Sequence, residues 1–283
     1  MKIIKGTIRE IDIQNRIFEV VTKEKVESLY VSRSLMNRFK PYIQTNFYCE
    51  VECSDASTIR EDTKTYEVIT FTKIIGNKAD ERQVFYDINK IRESLTELIN
   101  KNKCLMFIDL EFSMPPYGYH KTFESEIVQY GYIVTQDLQI VEEGVHLVLP
   151  KDINTLSDRT FDFLKKDIED FYDAISPIEF YNKFKELIDK YEPMIIVWGT
   201  NDILVINDFY KLHELTPLTK RASFINLMQI IKNYFGLKND IGLFNALSFF
   251  DANFNEYQEH DALQDAFVTY KVYELFLKHC SNK

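Results

Sequence analysis

The chain is poor in the residues that mark several protein classes. Glycine and proline number only 8 and 7 in 283 residues, which excludes collagen-like and low-complexity architectures. No apolar run approaches the roughly 18 residues that a membrane-spanning helix needs, so no membrane partner is expected. The four cysteines, Cys49, Cys53, Cys104 and Cys280, form no CxxC pair and stand at no zinc-finger spacing from a histidine. They read as reduced thiols. The opening MKIIKGTIREIDI turns charged too soon for a secretory signal, and a cytoplasmic location is the expectation.

Core material is plentiful. Hydrophobic residues make up 45% of the chain, with 22 Phe and 17 Tyr, which is enough for a large core and excludes wholesale disorder. A net charge of −10 argues against a polyanionic partner, but the charge is uneven. Residues 1–79 hold 13 basic and 11 acidic side chains, against 21 and 33 in the remainder. The two parts therefore differ in character. An acidic domain still accepts a polyanion if its carboxylates hold cations.

Residues 1–76 read as short strands, IIKGTIREI, RIFEVVT and VESLYVS, then a helical SLMNRFKPYI, then NFYCEVEC and TYEVITFTKII. Phe47, Cys49, Val51 and Cys53 alternate with period two. The order β-β-β-α-β-β is that of the OB-fold, a small five-stranded barrel that often binds single strands; another small β-barrel used for protein contacts is the alternative. Phe18, Tyr30 and Phe47 are candidates for a stacking platform, although filling the barrel accounts for any one of them. Residues 77–102 read as an amphipathic linker helix, with Val84, Ile88, Ile91, Leu95 and Leu98 at helical spacing. From residue 103 to 283 strands alternate with helices, which predicts an α/β domain with a mixed sheet flanked by helices.

Three carboxylate groupings stand at element ends. The apolar strand CLMFIDLEF carries Asp109 and Glu111, which share one face because strand side chains alternate. Two such carboxylates repel unless a cation lies between them, yet Asp-x-Glu alone is common, and a solvated strand end accounts for it. Asp202 follows the buried strand MIIVWG after a short turn and opens a helix, where an N-cap role suffices. In HDALQDA, Asp261 with Gln264 resembles a capping box, His260 lies just before the helix, and Asp265 borders an apolar stripe. A carboxylate there is not needed for capping.

In this order, D-x-E, W-G-x-x-D and H-x-x-x-x-D resemble the DEDDh family of 3′–5′ exonucleases, which has a ribonuclease H-like fold. The resemblance covers about residues 104–279, through IDLEF, EIVQYGYIV, VWGTND and HDALQDA. It implies that Asp109, Glu111, Asp202 and Asp265 bind two divalent ions, Mg2+ or Mn2+, and that His260 is the general base. Asp109 would bridge the ions, Glu111 and Asp265 would hold the one that activates water, and Asp202 would act on the second. Leu110, Phe112, Ser113 and Met114 are the candidate substrate-binding residues; Phe112 stands where much of the family has a small residue or Thr. The stretch Met114–Phe123 reads as a loop whose aromatics and Lys121 are further candidate contacts. His120, His146, His213 and His279 read as structural, and Glu124 and Glu126 as the start of the next strand.

The expected partner is single-stranded nucleic acid or a 3′ overhang, and the expected products are nucleoside 5′-monophosphates. The W-G-x-x-D form slightly favours RNA. The alternatives are a DNA-directed exonuclease of the same fold and a nucleic-acid-binding protein with a silent site.

Overall fold

A computed structural model describes residues 1–78, 81–119, 122–237, 239–251 and 260–281. The chain divides into two units, Met1–Ser94 and Leu95–Lys283.

The first unit runs β1 (Lys2–Asp12), β2 (Ile17–Val21), β3 (Val26–Val31), α1 (Arg33–Phe39), β4 (Tyr48–Arg60), β5 (Thr63–Lys78) and β6 (Glu81–Asp87). The expected β-β-β-α-β-β order is therefore present, with one strand more. β1 pairs antiparallel with β2 and β4, β2 with β3, and β4 with β5. β3 pairs parallel with β5, Ser28 opposite Thr65 and Val31 opposite Val68. These five pairings form a closed circuit. Period-two alternation drives it: Phe18 and Val20, Leu29 and Val31, and Cys49, Val51 and Cys53 are all buried in one cluster.

The linker helix is shorter than its periodicity suggests. α2 spans Ile88–Asn100, and the preceding ERQVFYD is β6, antiparallel to β5 with Tyr86 opposite Ile74. The ring of Phe85 stacks on Phe47 at 5.3 Å and Tyr86 meets the edge of Phe39 at 5.0 Å. That aromatic packing overrides the helical spacing of a charged stretch. The helix starts where the Asp87 carboxylate accepts the N–H of Asn89 at 3.1 Å. The same contacts remove two platform candidates. Phe18 is fully buried, and the Phe47 ring is taken up by Phe85 and lies against Gly76.

The second unit continues with β7 (Cys104–Phe112), β8 (Ile127–Gln136), β9 (Gln139–Leu147), α3 (Asp158–Leu164), α4 (Pro177–Tyr191), β10 (Met194–Val197), α5 (Asn201–Leu212), β11 (Phe224–Asn226), α6 (Leu227–Phe235), α7 (Leu243–Phe250) and α8 (Ala262–Ser281). The strand order is β11-β10-β7-β8-β9. β7 lies parallel to β10 and antiparallel to β8, so the sheet is mixed. This is the α/β arrangement expected, consistent with the ribonuclease H-like exonuclease fold. β11 is only three residues long, because the Asn226 side chain accepts the N–H of Gln229 at 3.0 Å and starts α6.

β7 is the middle strand, and its two faces pack differently. Met106, Ile108 and Leu110 face a cluster with Phe180, Phe184, Ile206 and Phe209. Leu105 and Phe107 face a cluster with Val268, Val272, Tyr273 and Phe276 of α8. The next two residues on the α8 side are Asp109 and Glu111, so an apolar face turns acidic at its end. Among the described residues, no helix is long and apolar enough to cross a membrane.

The start of α8 presses on β8. At Gly131, opposite Asp109, a Cβ would lie 2.2 Å from backbone atoms of Ala262 and Leu263. Gly131→Ala is therefore expected to cost about 1–3 kcal/mol or more and to reduce activity by pushing Asp265 off its place. A urea midpoint and turnover equal to wild type would show that α8 moves freely there.

Candidate active site

Each acidic side chain is placed by a separate local device. Asp109 and Glu111 share the face described above; Glu111 is buried and Asp109 half-buried. The register of β7 on β8 shifts between Glu111 and Phe112, which ends the regular alternation just after the second carboxylate.

Asp202 is not the N-cap expected for α5. Thr200 holds that position, and Gly199 makes the preceding turn at φ 96°. Asp202 lies in the first turn, 5% exposed, and its Oδ1 accepts the N–H of Leu110 at 3.1 Å. The pairing of β10 with β7 ends at Ile196 opposite Phe107, and the carboxylate takes an N–H beyond that point.

Asp265 and His260 come from the start of α8. Asp261 caps the helix, accepting the N–H groups of Leu263 and Gln264 at 3.1 Å each. Gln129 of β8, which the sequence reading passed over, donates to Asp261 at 3.0 Å and accepts the Ala262 N–H at 3.2 Å. Its only sequence signal is a polar residue inside a buried strand. His260 has a left-handed φ of 55°, and its ring packs on Phe163 with centroids 4.0 Å apart.

These devices converge. One donor atom from each of Glu111, His260 and Asp265 lies within 4.8 Å of the other two. Charges of one sign surround the group. Burial, then Asp202, Glu111 and Asp265, hold the Asp109 carboxyl well above the usual carboxylate range. Burial, then Asp265 and Asp202, push Glu111 up to about 8. Asp202 is pushed up to about 7 by burial, opposed by its backbone hydrogen bonds. Carboxylates so placed, with an imidazole beside them, form a hard donor set that fits a divalent cation.

The four substrate-binding candidates separate. Phe112 lines a groove of about 710 Å³ with Phe123, Asn201, Leu204 and Asp208. Met114 lines a cavity of about 360 Å³ with Arg159, Phe163 and His260. Leu110 and Ser113 need correction. Leu110 is a core side chain, and Ser113 is fully buried with its Oγ accepting the Glu126 N–H at 2.9 Å. Leu110 alternates onto the face of β7 opposite the carboxylates, and Ser113 lies just past the end of the strand.

His213 lies 3.9 Å from Glu126, whose carboxylate accepts the N–H groups of Lys151 and Asp152. His146 packs against Tyr130, and His279 against Phe235. His120 and Lys121 lie outside the described residues.

Residues 106–273 match the family model RNase_T, described as exonuclease. That stretch is more than half of the chain, and the chain belongs to this exonuclease family. Exonucleases hydrolyse phosphodiester bonds, and the D-x-E, W-G-x-x-D and H-x-x-x-x-D residues keep the chain's resemblance to the DEDDh branch. A probable 3′–5′ exonuclease of Bacillus subtilis strain 168, KapD, is 29% identical over 172 residues, which is 60% of this chain and 83% of KapD. A solved full-length 3′-exonuclease superposes with TM-score 0.56 at 20% identity, covering 63% of this chain and 84% of that one. The nuclease domain of 3′hExo, a DEDDh member bound to rAMP, gives 0.55 at 18% identity, covering 64% and 93%.

The raised carboxyls have a consequence for stability. Their unfolded values lie near 4, so without cations the folded state holds protons that the unfolded state has lost. Stability from this source is whole below about pH 4 and is lost as pH rises toward 8. Glu111→Gln is therefore expected to raise the cation-free Tm, by a margin over the parent that grows from pH 5 to pH 8. Mg2+ is expected to raise the parent Tm more at pH 8 than at pH 5. Thermal scans at the two pH values test both; a margin that does not change with pH would remove the repulsion argument.

Proposed function

We propose that the chain degrades single-stranded nucleic acid or 3′ overhangs from a free 3′ end, releasing nucleoside 5′-monophosphates, with RNA slightly favoured over DNA. The observation that carries this reading is the approach of Glu111, Asp265 and His260 to within 4.8 Å of one another, beside Asp109 and Asp202. The residues fit two divalent ions, Mg2+ or Mn2+. Asp109 would bridge them, Glu111 and Asp265 would hold one, and Asp202, with Oδ1 committed to Leu110, would offer Oδ2 to the other. When bound, such ions supply Lewis acidity: they neutralise phosphate charge and make water more acidic.

The remaining work falls to the chain's own groups. His260 accepts the proton of the attacking water, and the Phe163 ring against its face restricts its orientation. Met114 and Phe163 line the cavity beside His260, where a terminal nucleoside fits. Phe112 lines the neighbouring groove, which suits the next one. The RNA preference is supported by the W-G-x-x-D form, and one structural neighbour was solved with a ribonucleotide, rAMP.

For the first unit, we infer an OB-like barrel that holds the strand. Its support is the strand circuit with β3 parallel to β5 and the helix between β3 and β4.

The decisive assay follows hydrolysis of end-labelled RNA and DNA of one sequence. Activity is expected to vanish in chelator and to return with Mg2+ or Mn2+; undiminished activity in chelator would remove the metal reading. Asp109→Asn is expected to abolish turnover and leave the chain folded. His260→Ala is expected to lower the rate about 100- to 10,000-fold at neutral pH while Mg2+ binding, read by its effect on Tm, survives. A wild-type rate in His260→Ala would leave that residue no part in proton transfer.

A further inference from the structure

The family match begins at residue 106, so it assigns nothing to the first unit. On that unit, three separate segments meet at one tyrosine. Tyr30 lies on β3 and points away from the core, half-buried. The Arg60 guanidinium lies over its ring, 3.7 Å from the centroid. Arg16 approaches to 5.5 Å and donates to the Tyr30 hydroxyl at 3.0 Å. Arg16 belongs to the turn between β1 and β2. Its left-handed φ of 57° and the 2.9 Å bond from the Val31 N–H to its carbonyl fix that turn to β3. Arg60 ends β4, at a tight hairpin whose Glu61 and Asp62 have φ of 45° and 56°.

Neither arginine is held by a close carboxylate, unlike several other basic groups of the unit. Lys2, Lys5, Lys25 and Lys73 each meet a carboxylate at 3.1 Å or less, and Arg9 is paired with Glu19. Arg16 makes no ion pair among the described residues, and the carboxylate nearest Arg60, Glu67, lies 3.9 Å away, too far for a hydrogen bond. The donors of two flat cations thus remain largely unclaimed by carboxylates, beside an aromatic ring.

That combination suits one chemistry. Guanidinium forks bind phosphate bidentately, and a guanidinium plane stacked on an aromatic ring extends a surface on which an unstacked base lies. A duplex does not offer an unstacked base, and an acidic peptide would use the charge without the planes. We propose that Arg16, Tyr30 and Arg60 form a binding site for single-stranded nucleic acid, with backbone phosphate on the two arginines and a base against the Arg60–Tyr30 stack. This assignment rests on the reading of the first unit as a strand holder.

The test uses the full chain. In an Asp109→Asn background, which blocks hydrolysis, fluorescence anisotropy measures binding of a 15-nucleotide RNA over a range of salt. Arg60→Ala and Tyr30→Ala are each expected to weaken binding about tenfold or more. Arg60→Ala is also expected to flatten the salt slope by about 0.7, and Arg60→Lys to keep the slope while losing affinity. In the otherwise wild-type chain, Arg60→Ala is expected to cleave a ribodinucleotide at the parental rate. Unchanged 15-mer affinity in a folded Arg60→Ala chain would overturn the site, as would displacement of the RNA by polyglutamate as readily as by an oligonucleotide of equal charge. A parental chain that fails to cut the dinucleotide would instead strike the exonuclease reading and leave the binding measurement to stand by itself.

Discussion

Like-charge repulsion at the end of β7 is the constraint around which the second unit is organised. Asp109, Glu111, Asp202 and Asp265 occupy largely water-poor positions, and each of the first three is held above its ordinary ionisation range chiefly by burial. The charges of such a cluster drive it apart in the absence of cations. The surrounding structure has to impose it: a central strand with partners on both sides, a four-residue β10 that delivers Asp202, and a helix pressed so closely on β8 that only glycine fits at residue 131. The apolar contacts of Phe107 with Tyr270 and Tyr273 hold the same helix one to two turns beyond its acidic end. Packing free energy is thereby stored as charge proximity, which is what a site that must capture cations needs.

Much of this was legible in the sequence, and the reasons are physical. Asp109 and Glu111 were readable because strand alternation fixes which neighbours share a face. Asp265 was readable because a carboxylate beside an apolar helical stripe has no bland use. Asp202 was readable as a residue but not as a role, since an aspartate near a helix start looks the same in sequence whether it caps the helix or satisfies a distant N–H. Leu110 was misread because proximity in sequence to the carboxylates does not overcome alternation, and Ser113 because its partner, the Glu126 N–H, is visible only in the fold. Gln129 and Gly131 gave almost no signal: both act through the backbone of a helix some 130 residues away. β6 was missed because Val84 falls in step with the helical spacing that runs from Ile88 to Leu98, while its two decisive aromatics find their partners only in three dimensions.

The first unit shows the reverse balance. Its element order followed from alternation and turns. The function of its aromatics did not, because whether a ring fills a core or faces outward depends on which parity each strand adopts. Phe18 went inward, Phe47 found Phe85, and Tyr30 stayed outside between two arginines.

The two cysteines of β4 have a further consequence. Cys49 and Cys53 are fully buried within the first unit, and burial pushes both thiols up to about 12. A thiol needs its thiolate form and access to react, so both are silent towards alkylating reagents while that unit is closed. Cys104 and Cys280 of the second unit are only half-buried. The rate at which the buried pair becomes alkylated therefore clocks the opening of the first unit by itself, a native chemical reporter of its local unfolding that needs no introduced label.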